Sequence, residues 1–442
     1  MSFRSFIYFL FAAAIAPGLC TSRAQSGLQI KIDRTNTAAS SLSFQVRSLV
    51  PPPGISLFAD YRILATTNFV VWEQHGEKVS GSTFSNQTLR LDVPLDQTNC
   101  FFRVESLLDF RSRNFIRQRL INGNLARADF TGSDFFGSDL FRANLRQARL
   151  VAVDFQAADL TEADLREADA IGANFSDALL ESMNASDADL SFTDFTRATL
   201  HFANFERANI SFSSLLQSGT DFIRLHDSII DQHTLLPPKT ELVWRAVNRQ
   251  LIGAQLTGAD LVICDLSGAQ LQNSILRNVD LRGSDLRNAN FSGAELLMAN
   301  LDFADLRGAS FDATTRATAK QRLVWELNNS DATGRDLSGR DLGNSSIVQG
   351  QLSRANLTSA ILRNGILFRI NLSGAVLRNA NLIAADLSLA NLEGADLTAA
   401  NLSNADLTGA TLRNAFLTNA IQSGTIFSNT VMPDGTIRNP SP

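Results

Sequence analysis

Between Phe110 and Ile230 every fifth residue is Leu, Phe or Ile, with Ala170, Ala185 and Thr220 the departures among 25 positions. A period of five is neither the 3.6 of an amphipathic helix nor the 2 of a flat strand. Two positions before each apolar residue stands a small one: Ala128, Ser133, Ser138, Ala143, Ala148, Ala158, Ala163 and Ala168. The residue between them is usually acidic or an amide, as in Asp129, Asp134, Asp139, Asn144, Asp159 and Asp164. The unit is A-(D/N)-(L/F)-x-x, and self-similarity at a fixed period signals a repeat architecture.

The unit restarts twice. From Leu256 to Phe311 the apolar residue recurs twelve times without a miss, and from Leu337 to Leu417 seventeen times, always as Leu or Ile. The last stretch is the most regular: Ala385-Asp-Leu387, Ala390-Asn-Leu392, Ala395-Asp-Leu397, Ala400-Asn-Leu402 and Ala405-Asp-Leu407. These residues resemble the pentapeptide-repeat family. The resemblance implies an all-β fold, a right-handed quadrilateral β-helix with one pentapeptide per side and four per coil. In such a coil the large apolar residue fills the axis, the small one fits the corner and the polar positions face water. Each buried Leu or Phe then contributes about 1.5–3 kcal/mol before entropy costs.

Two interruptions break the array, and each shifts the register by one residue. The first holds Leu242-Val243-Trp244-Arg245-Ala246-Val247-Asn248, the second Leu323-Val324-Trp325-Glu326-Leu327-Asn328. Both read as short helices, the first after Pro237-Pro238, where a helix start tolerates proline. The tryptophans lie 81 residues apart. Either the helices are partner sites, or they are caps whose Trp, Leu and Val cover coil ends that would otherwise be open strand edges; the second reading is preferred. Thr234-Leu-Leu-Pro237 and Thr430-Val-Met-Pro433 read as shared stop signals.

Ahead of the array, Leu28–Ile32, Leu42–Val46, Tyr61–Ala65, Leu89–Val93 and Cys100–Val104 read as short strands separated by turns such as Pro51-Pro52-Pro53-Gly54, which suggests a small β-sandwich. The run Tyr61 to Trp72, followed by Phe101-Phe102-Arg103-Val104, resembles a fibronectin-III-like accessory module of secreted bacterial proteins, with Leu64 and Thr66 departing from its usual acidic residue and serine. The resemblance implies spacing or display rather than chemistry. Trp72 reads as sandwich core in preference to a sugar platform.

At the start, Arg4 and the apolar run Phe6–Ile15 precede Ser22-Arg23-Ala24, the pattern of a secretory signal cleaved after Ala24, which leaves Gln25 first. The apolar run is too short to span a bilayer. Cys20 as a lipid-modified residue is disfavoured by Leu19 before it. The organisation expected is a signal peptide over 1–24, the sandwich over 25–106, repeat blocks over 107–234, 251–315 and 335–432, helical interruptions over 235–250 and 316–334, and a tail over 433–442. The destination is the periplasm, the cell surface or the exterior.

The net charge of -5 lacks the basic footprint of a nucleic-acid binder. Cys100 and Cys264 fall in different domains and read as separate thiols. The four histidines, His75, His201, His226 and His233, have no metal-ligand spacing, and His226, Asp227, Asp231 and His233 make at best a weak cluster. Asp recurs because the repeat needs it at the corner, so no pair stands out as acid and base. No catalytic, cofactor-binding or metal residue is assigned, and no cofactor. The expected function is a non-enzymatic structural or interaction scaffold whose partner is a protein or cell-envelope component, with no transmembrane anchor. A carbohydrate-active or carbohydrate-binding protein is the alternative, disfavoured because Phe130, Phe135, Phe155 and Phe175 sit in the inward slot. The resemblance also admits a DNA mimic that shields gyrase, disfavoured by the signal and by Arg142, Arg146, Arg166, Arg277 and Arg282, which dilute the acidic faces.

Overall fold

The computed structural model describes residues 110–439 without a break and, before them, the strand segments 41–46, 60–66, 73–74, 79–80, 87–92 and 101–107. Two compact units make up the chain, Met1–Phe195 with Ile210–Ser213, and Thr196–Asn209 with Ser214–Pro442.

In the first unit, β1 (Ser41–Val46) pairs antiparallel with β5 (Gln87–Asp92). A second sheet is centred on β2 (Asp60–Thr66), which pairs along its length with β6 (Phe101–Leu107) and at its two ends with β3 (Glu73–Gln74) and β4 (Val79–Ser80). Four of the five stretches that alternate in the sequence overlap β1, β2, β5 and β6. Leu28–Ile32 and Trp72 lie outside the described residues, as do the signal segment and Cys100.

From Phe110 the chain winds in coils of four pentapeptides. Each pentapeptide contributes one residue to a parallel bridge, and bridged residues are twenty apart, as in Asn114, Asp134, Asp154, Asn174 and Asp194 along one side. The bridging residue is the Asp/Asn of the repeat. Its apolar neighbour donates its amide to the next coil (Phe135 N to Asp154 O, 2.7 Å), as does the residue two further on (Gly137 N to Gln156 O, 2.9 Å). The corner closes when the small residue donates back to the apolar one, as Ala128 does to Leu125 O at 3.2 Å. That is a four-residue turn whose third residue takes positive φ, here Arg127 at 62°.

The inward column is as the period of five requires. Phe130, Phe135, Phe155 and Phe175 are at most 1% exposed, and Ala170 and Ala185 keep the same buried slot. Phe115, Phe135, Phe155, Phe175 and Phe195 form one stack with centroids 4.6 to 5.1 Å apart. That separation matches the distance between hydrogen-bonded strands, so rings of successive coils meet face to face. The small slot is buried with them, and where it is serine the hydroxyl donates to a carbonyl, as Ser138 does to Phe135 O at 2.7 Å.

The turn's third residue is where the fold stores strain. Non-glycine side chains hold φ near 50 to 65° at this slot throughout the array. Each costs about 1–2 kcal/mol unless it is Gly or Asn. Gly394, at φ 65°, has no atom within 4 Å of where a side chain would begin. Gly394→Ala is therefore expected to cost about 1 kcal/mol through backbone strain alone, and Gly394→Asn clearly less; thermal melts of the two variants check this.

The second unit has a ladder of the same kind (Thr199 with Gly219; Asp336, Asn356, Val376, Asp396 and Phe416 in one row) and ends in a hairpin of β7 (Thr430–Val431) and β8 (Ile437–Arg438). The two interruptions are helices, α1 (Pro238–Val247) and α2 (Ala319–Asn329). Helix α2 begins with a capping box formed by Thr318 and Gln321. Each helix stands in for missing strand. The Trp244 indole donates to Ser228 O at 3.0 Å and that of Trp325 to Ala309 O at 2.7 Å. The Asn248 amide donates to Leu225 O and accepts from the Asp227 amide, and Asn329 does the same for Leu306 O and the Gly308 amide. Beyond the helices the ladder resumes, Phe222 N bonding Ile263 O and Phe303 N bonding Asn344 O. The buried Val243, Ala246, Val324 and Leu327 complete the cover. The polar Thr220, a departure from the apolar column, faces the Thr240 hydroxyl of α1 at 2.8 Å. The shared stop signal divides by context: a helix follows Thr234, whereas the hairpin begins at Thr430. Among the described residues no helix is long and apolar enough to cross a membrane.

Candidate interaction surface

The acidic residues of the repeat are engaged in building it. Asp129, Asp159 and Asp406 each accept the amide of the residue two further on, at 3.0, 2.9 and 2.8 Å. These Asx turns pre-shape the corner that follows. Where that next residue but one is arginine, the pair closes through its side chains as well: Arg166 on Asp164, Arg282 on Asp280, Arg287 on Asp285, Arg307 on Asp305. Between coils, Arg142 bonds Glu162, Arg146 bonds Glu167, and Arg277 and Arg316 converge on Glu295. All five arginines expected to dilute the acidic faces are thus paired with a carboxylate.

These contacts shift titrations. Burial raises the Asp164 carboxyl, but the Arg166 side-chain bond and amide outweigh it and the group stays below its ordinary range. At Asp396 burial is likewise outweighed by the Thr398 and Arg378 hydrogen bonds. Arg282 lowers Asp280 by hydrogen bonding, and Thr314 and Gly293 help hold Asp312 well below it. A carboxyl depressed in the folded state contributes stability above its unfolded pKa, about 4, and that contribution is lost as pH falls through the folded value. The melting temperature is expected to hold from neutral pH to about 4.5 and to fall steadily below it. A pH series of melts in which acid leaves the midpoint unmoved would contradict this.

The weak histidine–aspartate cluster does not assemble. His226 Nε2 lies 2.5 Å from Ser267 O and His233 Nε2 3.1 Å from Gln232 Nε2, while Asp231 accepts from the His233 amide and the Thr234 hydroxyl. Among the described residues no three His, Cys, Asp or Glu gather as metal ligands. Cys264 is buried in the small-residue slot, and desolvation pushes its thiol up to about 12, so it stays protonated. His201 plays a structural part. Its ring lies over Gly219, where a Cβ would come within 2.8 Å, and its Nδ1 is 3.6 Å from Asp221, which also pairs with Lys239 at 3.1 Å.

The period of five places phenylalanine in the inward slot and says nothing of a second set. In the first unit Phe192 and Phe212 stand in the turn's third position, 58% and 46% exposed, with rings stacked at 4.6 Å. In the second unit Phe202, 52% exposed, stacks on Phe222 at 5.1 Å. The signal was available: these four residues are the second x of their units, ten apart, where polar residues or glycine usually stand. In both pairs the rings are nearly parallel, so each ring turns one of its faces to its partner.

Comparison with known proteins agrees with this geometry. The family model described as pentapeptide repeats matches eight times, covering 114–211, 250–312, 351–394 and 400–432. Among solved structures, HetL, a pentapeptide repeat protein involved in heterocyst differentiation regulation from Nostoc sp. strain PCC 7120, is 25% identical over 74% of this chain and 93% of its own, with a TM-score of 0.16. A trypsin-treated form of QnrB1, a plasmid-mediated fluoroquinolone resistance protein, is 14% identical over 49% of this chain and 97% of its own, with a TM-score of 0.25. A pentapeptide repeat protein of the Arabidopsis thaliana thylakoid lumen is 32% identical over 24% of this chain and 71% of its own, with a TM-score of 0.16. No curated protein matches. The superposition scores are too low to carry an argument, but the repeat model covers more than half of the chain and its ladder has the family's four pentapeptides per coil: the chain belongs to the pentapeptide-repeat family, whose fold is the right-handed quadrilateral β-helix.

Proposed function

We propose that the protein is an exported, non-enzymatic interaction scaffold. Its leader, 1–24, is removed after Ala24. The segment 25–106 is a fibronectin-III-like β-sandwich that acts as spacer or docking module, and the pentapeptide coils present their outer surface to a protein or cell-envelope partner. The observation that carries this reading is the pair of outward phenylalanine stacks, Phe192 with Phe212 and Phe202 with Phe222. They place large apolar side chains in a solvated slot where folding does not need them. The carboxylates, by contrast, are held in turns and ion pairs, which favours scaffolding over acid–base chemistry.

The second reading, polysaccharide binding, draws on the same phenylalanines. A sugar stacks on a ring face, and here one face of each ring is taken by its partner, so the pairs offer less ring face to a sugar than four separate rings would, and a protein partner that also takes the flanking polar residues fits better. The gyrase-directed reading is weakened by the paired arginines.

Affinity capture from intact cells tests the proposal, with the mature chain as bait beside a variant carrying Phe192→Ser and Phe212→Ser and another carrying Phe202→Ser and Phe222→Ser. A specific partner should be retained by the parent and lost by at least one variant, and N-terminal sequencing of extracytoplasmic protein should find Gln25 first. An intact Met1 on cytoplasmic protein would sink the export half. Selective retention of a glycan on an oligosaccharide array would favour the second reading.

A further inference from the structure

We propose that the gap beside α1, at the first helical interruption, is a docking groove for a short extended segment of a partner protein that carries apolar side chains and a basic residue. The groove is distinct from the phenylalanine stacks and does not depend on what they bind. Across it the ladder is broken: Ser214 bridges Leu235 and Gln255 bridges Ile275, but Leu235 and Gln255 are not bridged to each other. The amides of Ile230, Leu236 and Gln255 find no backbone acceptor among the described residues. Ile230 and Leu236 fill the inward slot yet are half-exposed, whereas that slot is buried through most of the column. Ile229 and Leu235 beside them, and Ile252 in the coil that follows, are 55%, 49% and 53% exposed.

The second interruption shows what closes such a gap. It repeats the first at an offset of 81 residues, and Trp244 and Trp325 each bond a carbonyl 16 residues back. There Trp325 stacks on Phe311 at 5.1 Å, Arg322 donates to Thr315 O at 2.7 Å and Glu326 pairs with Arg335 at 2.6 Å. None of these closures can form at the first interruption, because the same offset puts Ile230, Glu241 and Ala254 in the places of Phe311, Arg322 and Arg335. The rim changes with them: Ile229, Leu235 and Ile252 stand where the second interruption has Ser310, Arg316 and Thr333. One copy of the architecture is sealed by its own side chains and the other is left open and apolar, which folding alone does not require.

The missing closures define the occupant. The open amides of Ile230, Leu236 and Gln255 can donate to the carbonyls of an added strand, the mode by which extended peptides pair with exposed edges. The coil turns a corner between Ile230 and Leu236, so the segment is short, about six residues long. Three branched aliphatic side chains at the rim call for apolar partners and give a sugar no ring face on which to stack. Glu241 takes the place of Arg322, whose guanidinium bonds carbonyls of the turn 312–315, and the corresponding turn here, 231–234, adds Asp231. An incoming arginine or lysine meets two carboxylates there and supplies from outside the charge that the second interruption supplies from within.

Fluorescence anisotropy of the full chain with labelled peptides of about seven residues tests this. One peptide alternates valine and threonine between flanking arginines, a second has glutamates in place of the arginines, and a third has serines in place of the valines. The parent should bind the first saturably and about tenfold or more tighter than the other two, and the amides of Ile230, Leu236 and Gln255 should gain protection from hydrogen exchange when it is added. The triple variant Ile229→Ser, Leu235→Arg, Ile252→Thr installs the second interruption's residues in the first, so it should keep its fold by circular dichroism and lose about tenfold or more in affinity. Glu241→Arg should weaken binding of the arginine-flanked peptide and not that of the glutamate-flanked one. No saturable binding, equal binding of the three peptides, or binding that either variant leaves unchanged would overturn the proposal. So would protection at those amides that rises with protein concentration in the absence of peptide, since a second copy would then be the occupant.

Discussion

Leu397→Asp is expected to disrupt at least one coil, while Thr398→Asp, one residue along, leaves the fold standing. Leu397 is fully buried, its amide bonds Phe416 O at 2.8 Å and its carbonyl accepts the Ala400 amide at 2.9 Å. Truncating such a side chain costs about 2–5 kcal/mol through lost transfer energy and the cavity left behind. The carboxylate adds desolvation with no partner on the axis, or stays protonated with its own hydrogen-bonding needs unmet. Thr398 is half-buried on the outer surface; its backbone amide donates to Asp396 at 3.0 Å, which the substitution keeps, and only its hydroxyl's bond to the same carboxylate is lost. Its cost should stay near 0.5 kcal/mol, with Arg378 on Asp396 offsetting the added charge. The same contrast is expected for Leu160 against Thr161. At Leu286 against Arg287 it narrows, because Arg287 is held by Asp285, so Arg287→Asp both breaks that pair and sets two carboxylates side by side. Melts of the six single variants decide the matter; equal damage in both slots at 397 and 160 would mean that the register is wrong.

The inward column and the small slot were legible from the period of five together with the resemblance to the pentapeptide-repeat family, which implies a coil that turns at each repeat; that the Asp/Asn slot carries the bridges was not. The corner hydrogen bonding of Asp and Asn follows from the same resemblance. What spacing conceals is the conformation of the two x positions. Both look like free surface, yet the second is confined to positive φ, and nothing in the identities of Arg127, Phe192 or Ala399 announces that. A periodic reading passes over the outward phenylalanines because it assigns aromatics to the core by default. The helical interruptions were visible through Trp244 and Trp325, but the role of Asn248 and Asn329 was not. An amide that replaces one donor and one acceptor of a missing strand leaves no periodic trace, since its partners lie more than twenty residues away. The candidate surface was the least legible part, because recognition depends on departures from the pattern and a repeat makes the pattern dominant.

Those asparagines and tryptophans support the remaining large effect. Trp325 stacks on Phe311 with centroids 5.1 Å apart and donates to Ala309 O at 2.7 Å. Trp325→Ala removes a large packed side chain, worth about 3–5 kcal/mol, and strands the Ala309 carbonyl as well. Asn329→Leu removes little packing, and water can take the exposed Gly308 amide but less easily the half-buried Leu306 O, so its cost should be about 0.5–1.5 kcal/mol despite the larger apolar surface. The two residues serve one splice, so the double variant should fall short of the sum of the singles. Trp325→Ala combined with Asn248→Leu, drawn from different splices, should be close to additive. Amide exchange gives the local readout: Asn329→Leu should speed exchange at Gly308 and leave Asp227 untouched, because Asp227 is held by Asn248 at 2.8 Å. If Asn329→Leu left Gly308 protected, or stabilised the chain, the helix would be packing against the coil without completing its ladder.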